Sequence, residues 1–278
     1  MHTAVILPAA GEGRRFAAAG VASASKIEFE IAGKPGFLHA IEAFRAIGAV
    51  GPILLAVHPD RLDEFRFRWD DRLAFHDATL IPGGRVERWE TVKLALDHLD
   101  DPSGVTHVAV HDAARPAVSA DLIERVFAAA ERYAAVAPGL PVSSTLKRVG
   151  DPVSNPDAID DILGGSEHTS ATASPRPVLE TVPRDHLYAI QTPQVFTLDL
   201  LRRAYAQLAP GIPATAVTDD AGVVEALGEP VHVVEGDPAN LKLTHPGDAA
   251  LLEALLAHHR QKQAEQQAIV DLFGDDDE

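Results

Sequence analysis

The chain reads as an α/β protein with a mostly parallel sheet flanked by helices, and three observations predict this. Short apolar runs alternate with helical patterns along most of its 278 residues. The runs are apolar on both faces, as strands are when helices cover both sides of a sheet. Several runs also end in turns rich in Gly, Asp or Arg, at the strand ends where such sheets hold their ligands.

The elements follow in order. Ala4 to Leu7 forms the first strand, which stops at Pro8 and enters a turn containing Gly11 and Gly13. Gly33-Lys34-Pro35 leads into a helical stripe of Leu38, Ile41, Phe44 and Ile47. Ile53 to Val57 is a strand, Arg61 to Trp69 a helix, and Ala78 to Ile81 a strand stopped by Gly83-Gly84. The next helix, Glu87 to Leu99, carries Val92, Leu94, Ala95 and Leu99 as its stripe. Val105 to Val110 is a strand ending at His111-Asp112, Leu122 to Ala130 a helix and Ala134 to Ala137 a strand. Regularity breaks after Leu140, and residues 151–180, rich in Pro, Ser, Asp and Gly, read as a protruding or partly disordered excursion. The α/β pattern resumes with a strand from Gln191 to Phe196, helices from Leu198 to Leu208 and Asp219 to Leu227, and a strand from Val231 to Val234. Pro246 to His258 closes the fold as a helix, which the polar residues 259–278 extend into an acidic tail. One domain over residues 1–258 accounts for the pattern.

Composition narrows the function. With 24 Lys and Arg against 41 Asp and Glu, the net charge is −17. Sequence-independent nucleic-acid binding relies on a positive field, so this balance argues against it. A small anionic substrate needs only a local cationic cluster. No apolar run approaches the roughly 20 residues of a membrane span, and the N-terminal charges follow the apolar run, unlike those of a signal peptide. The absence of cysteine excludes disulfides, thiolate metal sites and a cysteine nucleophile. A cytoplasmic location is expected.

Three segments after strands carry chemistry. PAAGEGRRF offers glycines that admit phosphate oxygens to the backbone, with Arg14 and Arg15 adding charge. It is neither the dinucleotide fingerprint, since Phe16 takes the third glycine position, nor a Walker A loop. Alone, such a turn is equally well a tight turn or a phosphate site. In HDAARP, Asp112 and Arg115 sit at the sheet's carboxyl edge, where an acid holds Mg²⁺ or a hydroxyl and an Arg forks onto phosphate. Against that stands a capped helix start with a surface ion pair. Lys26, taken alone, is a solvated lysine. The 13 histidines show no metal-ligand spacing.

Taken together the motifs carry a resemblance. PAAGEGRRF, a lysine before IAGKP, GGRVERWETV, VHDAARPAV, PVSSTLKRV, RDHLYAIQTPQVF, TDDAGVVE and GDPANLKLT occur in order between residues 4 and 248. The chain thereby resembles the 2-C-methyl-D-erythritol 4-phosphate cytidylyltransferase family. The resemblance implies a Rossmann-like nucleotidyltransferase fold with a protruding dimerisation arm over about residues 141–188. It implies transfer of CMP from CTP to methylerythritol phosphate, with Mg²⁺ as cofactor and a homodimer as the working unit. Arg15, Lys26 and Lys242 would be catalytic, acting on the triphosphate and the α-phosphate. Ala9, Ala10, Gly11, Gly13, Gly84, Arg85, Thr91, Asp112 and Ala113 would hold the nucleotide, with Gly84, Arg85 and Thr91 reading cytosine. Asp112, also the metal ligand, would bind the acceptor with Arg115, Thr145, Arg184 and Thr192. Thr145 and Arg184 would come from the partner's arm.

The chain departs from the family pattern in places. Ser25 and Ile27 flank Lys26 where proline and glutamine are usual, and GGRVERWETV is one residue longer than expected, with Thr91 for serine. Ser144 replaces an aspartate before Thr145. The alternatives are a cytidylyltransferase for ribitol 5-phosphate or another polyol phosphate, and an inactive nucleotide-binding relative. A dinucleotide-dependent oxidoreductase is disfavoured by Phe16.

Overall fold

Val5 and Leu7 of the first strand face one side of the sheet, Ala4 and Ile6 the other, and all four are fully buried. This two-sided burial is what the unbroken apolar run encodes. The computed structural model describes residues 1–11, 26–99, 104–153, 175–208 and 217–273. The chain forms two compact units, residues 1–140 with 190–278, and residues 141–189.

In the larger unit, strand β1 (Thr3–Ala9) is followed by two short strands, β2 (Glu30–Ile31) and β3 (Lys34–Pro35), which pair with each other. Helix α1 (Gly36–Arg45) leads to β4 (Val50–Val57), α2 (Leu62–Phe75), β5 (Ala78–Pro82), α3 (Arg88–Asp97), β6 (His107–Val110), α4 (Ala120–Ala130) and β7 (Ala135–Pro141). β1 pairs in parallel with β4 and β6, and β4 in parallel with β5. After the second unit come β11 (Gln194–Thr197), α5 (Leu198–Ala206), α6 (Asp220–Ala226), β12 (His232–Glu235) and α7 (Asp248–Phe273). β11 runs antiparallel between β6 and β7, and β12 lies parallel to β7. Within the larger unit the strands of the main sheet run in the order β7-β11-β6-β1-β4-β5, with β12 off this path beside β7, and all of these are parallel except β11.

Phe37, Ile41, Phe44, Phe65, Leu122 and Val126, from α1, α2 and α4, cover one face of the sheet. Val92, Leu96, Leu200, Leu201 and Val224, from α3, α5 and α6, cover the other. A third cluster joins Ile31, Ala117, Leu243, Leu252 and Leu256, so α7 packs on the strand-end loops.

Several boundaries differ from the sequence reading, for physical reasons. α2 continues past Trp69 to Phe75 because Leu73, four residues on, is buried on the same stripe as Phe65. In α3 the stripe runs through Leu96, and Leu94 is exposed. β11 begins at Gln194 because Pro193 has no N–H to pair.

The smaller unit is built on an antiparallel ribbon of β8 (Leu146–Val149) and β9 (Val178–Val182), followed by β10 (Tyr188–Ile190). The pairing reaches into both ends of the expected excursion. The Gly150 N–H donates to the Pro177 carbonyl and the Val153 N–H to that of Pro175. Residues 154–174 of that excursion lie outside the described residues.

Candidate active site

The carboxyl ends of β1, β5 and β6 open on one side, and the loops leaving them line a cavity of about 300 Å³. Ala9, Ala10 and Gly11 leave β1, Gly84 and Thr91 frame the turn from β5 into α3, and Asp112 and Ala113 follow β6. The cationic residues Lys26, Arg88 and Lys242 also line the cavity.

Asp112 organises these charges. Lys242 Nζ donates to its Oδ2 at 2.7 Å, Arg115 Nε lies 3.5 Å from Oδ2, and Arg88 Nε lies 3.6 Å from Oδ1. Burial opposes ionisation here, but Arg88, then Lys242 and Arg115, outweigh it and hold the carboxyl well below the usual carboxylate range. Arg88, the first residue of α3, also reaches back to Asp220, with Nη2 2.8 Å from Oδ2. Asp220 is fully buried and accepts the Tyr205 hydroxyl at 2.5 Å. Burial works against the charge on Arg88, yet Asp220 first and Asp112 second raise its pKa above the ordinary guanidinium value.

Arg88 is the site residue that sequence reasoning missed. GGRVERWETV holds two arginines, and Arg85 was expected to read cytosine. The structure places Arg85 away from the cavity lining, with its side chain 64% exposed and donating to Asp60 Oδ1 at 2.7 Å. The signal for Arg88 was its spacing. It lies three residues before Thr91, one helical turn away on the same face, whereas Arg85 precedes the helix.

A polar chain fixes the Asp112 backbone. The Asp112 N–H donates to Thr192 Oγ1 at 3.1 Å, and that hydroxyl lies 3.1 Å from His111 Nδ1. His111 Nε2 lies 3.1 Å from the Arg115 carbonyl. A carbonyl only accepts, so the proton sits on Nε2, Nδ1 is the acceptor, and the Thr192 hydroxyl donates to it. One neutral tautomer satisfies every group, and burial pushes the imidazole down to about 4. Thr192 and Arg115, expected to hold the acceptor, do not line this cavity. Arg115 Nη1 donates to the Asn240 carbonyl at 2.6 Å, and Asn240 Nδ2 donates to that of Thr192 at 2.7 Å. Both brace the loop that carries Lys242.

The two glutamines of QTPQ tie in two further motifs. Gln194 donates to Asp219 at 2.8 Å and accepts from the Ala221 N–H at 2.9 Å, fixing TDDA. Gln191 donates to the Asp237 carbonyl at 2.9 Å and accepts from the Asp237 N–H at 3.0 Å, fixing GDPAN. Four segments far apart in sequence therefore meet at Asp112.

Gly84 is held by approach. A Cβ there would stand 2.5 Å from Glu90 Cβ, and its N–H donates to Thr91 Oγ1 at 3.0 Å. Among the remaining expected residues, Gly13 and Arg15 lie outside the described residues. Thr145 and Arg184 belong to the smaller unit, both exposed, with Arg184 donating to the Ser143 carbonyl.

A mostly parallel α/β sheet with cations gathered around an aspartate at its carboxyl edge has the architecture of a nucleotidyltransferase. The model of the 2-C-methyl-D-erythritol 4-phosphate cytidylyltransferase family matches residues 3–160 and 167–258. The Acidobacterium capsulatum enzyme of that name is 35% identical over 254 residues, 90% of this chain and 95% of the relative. The Streptomyces avermitilis enzyme is 38% identical over 262 residues, 93% of either chain. The crystal structure of the Thermus thermophilus enzyme aligns with a TM-score of 0.66 at 30% identity, covering 92% of this chain and all of that one. The chain belongs to the 2-C-methyl-D-erythritol 4-phosphate cytidylyltransferase family.

Proposed function

We propose that the protein transfers CMP from CTP to 2-C-methyl-D-erythritol 4-phosphate, releasing pyrophosphate, in the non-mevalonate route to isoprenoids. The observation that carries this is that Lys26, Arg88, Lys242 and Asp112 line one cavity, in a chain matched to the family over nearly its whole length. A 4-phosphate oxygen of the acceptor forms a bond to the α-phosphorus of CTP. The bond from that phosphorus to the β-bridging oxygen breaks, and pyrophosphate leaves with the electron pair. Such a reaction needs position and charge neutralisation more than covalent help from the protein.

Lys26 and Lys242 hold triphosphate oxygens, joined by Arg15. Arg88 keeps Asp112 oriented. Gly84 and Thr91 admit the pyrimidine, and Thr145 and Arg184 hold the acceptor. Among the described residues no group of three or more His, Cys, Asp or Glu could hold a metal ion. The ionised Asp112 suits the Mg²⁺ expected from the family, since Mg²⁺ commonly takes one or two carboxylates and completes its shell with substrate phosphates and water. Bound there, it would supply charge neutralisation at the phosphates.

We read the 141–189 unit as an arm that completes a homodimer. Val149, Val178 and Leu179 of its ribbon are 44%, 59% and 63% exposed, and a two-stranded ribbon has no second layer of its own to cover such residues. Among the described residues no helix is long and apolar enough to cross a membrane, and we read the enzyme as cytoplasmic.

A pyrophosphate-release assay with CTP, run against methylerythritol phosphate, ribitol 5-phosphate and other polyol phosphates, tests the reading. Methylerythritol phosphate should be the preferred acceptor. A preference for ribitol 5-phosphate would reassign the acceptor alone, and no release with any acceptor would overturn the activity.

A further inference from the structure

Lys26 reaches the cavity from a three-residue 3-10 turn, Lys26–Glu28, and the last residue of that turn is a carboxylate with no part in the chemistry above. The Glu28 side chain is only 3% exposed. Three donors of α2 and the turn before it converge on it. Arg61 Nη2 reaches Oε2 at 2.5 Å, while Arg68 Nη1 and Trp69 Nε1 reach Oε1 at 3.1 and 3.0 Å. The Trp69 ring meets Phe37 edge-on, with centroids 5.5 Å apart, and Phe37 packs on Phe65 at 5.2 Å. Ile27, between Lys26 and Glu28, is 7% exposed and belongs to the same core.

A buried carboxylate costs free energy unless it is paired, and a neutral residue could fill this space without that cost. What the carboxylate adds is direction. Three donors approaching from α2 and the turn before it fix its two oxygens, and with them the backbone of the Lys26–Glu28 turn, far more tightly than apolar packing would. Arg61, which lines a second hollow with Ala9, Ala10 and Gly11, and Arg68 are thereby engaged by Glu28, and Arg68 also pairs with Glu64.

We infer that Glu28 is a positioning residue for Lys26: it pins the 3-10 turn to α2 and so sets where the Lys26 ammonium stands against the triphosphate. This rests on the reading of Lys26 as a phosphate-holding lysine. In Glu28→Gln one oxygen becomes a donor facing donors, and the turn is released. A misplacement near 1 Å at a reacting group can cost about a hundredfold in rate, and partial release should cost about tenfold.

The test is a double-mutant cycle read by single-turnover pyrophosphate release, with enzyme in excess over CTP. Glu28→Gln should lower the rate about tenfold, with the melting transition and the acceptor KM retained. In a Lys26→Ala background the same change should matter less than about twofold, because the residue it positions is gone. Trp69→Phe, which deletes one donor and keeps a ring on the platform, should give a smaller loss that likewise vanishes without Lys26. It decides the question if Glu28→Gln does not fold. Wild-type rates in both single variants, or equal losses with and without Lys26, would overturn the proposal alone. A wild-type protein inert towards CTP would remove the underlying reading and the proposal with it.

Discussion

Asp220 and His111 never touch the cavity, yet each controls a residue that bears on it. Asp220 holds Arg88 from behind while Asp112 holds it in front. Asp220→Asn keeps the volume and removes the charge, leaving Arg88 with one partner and the Tyr205 hydroxyl with a weaker acceptor. Arg88 retains some access to water, so the expected stability loss is about 1–3 kcal/mol by urea denaturation. Turnover should drop by about tenfold or more as Arg88 loses its aim. For His111 the sign follows from burial. Its folded pKa of about 4 lies below the unfolded value near 6.5, so between those values the unfolded chain binds the extra proton. Stability is therefore intact above about pH 6.5 and falls as pH drops towards 4, by about 3 kcal/mol from this group. Denaturation midpoints across that range should show a shallower acid loss in His111→Gln. An equal slope in the variant would show that other groups govern the acid limb.

At the scale of elements, the turn from β5 into α3 leaves little room for substitution. Glu90 Oε2 accepts from both the Val86 and Glu87 N–H groups at 3.1 Å, so the helix start and the glycine turn are one unit. Gly84→Ala would drive a methyl group into Glu90 and move the turn. We expect a loss of about 1–3 kcal/mol in stability and a raised KM for CTP with the acceptor KM little changed. Steady-state kinetics varying each substrate separately checks this. The element was legible from Val92 and Ala95, and its expected start at Glu87 falls within one residue of the observed Arg88. Arg85 precedes that start and Arg88 follows it, so the position of the first helical turn is what separates the two arginines.

For the whole molecule, the prediction concerns the arm. If Arg184 serves the partner's cavity, Lys26→Ala and Arg184→Ala each lose most of the activity alone but complement when refolded together. Each mixed dimer then has one site with both lesions and one with neither, and about half of the mixed dimers' sites regain activity. Verified heterodimers without recovered pyrophosphate release would show that each chain builds its own site. The charge of −17 belongs to this scale too. In an acidic chain the cations on the cavity wall attract a nucleotide triphosphate only locally, so CTP association should weaken measurably with added salt.

By itself the sequence determined the layered α/β architecture, because strands buried on both faces must be apolar throughout and the turns after them must carry the polar chemistry. Its motifs also pointed, through the family resemblance, to Lys26, Asp112 and Lys242, which line one cavity. Only the tertiary structure decided what surrounds them. Arg115 and Thr192 look like ligands in a sequence, yet the fold turns them inward to Asn240 and His111. Arg88 looks like a surface arginine, yet Asp112 and Asp220, 108 residues apart in the chain, meet on it. Glu28 looks solvated until α2 closes over it. Sequence spacing reports which face of an element a residue occupies, but an ion pair between distant segments depends on how those faces meet.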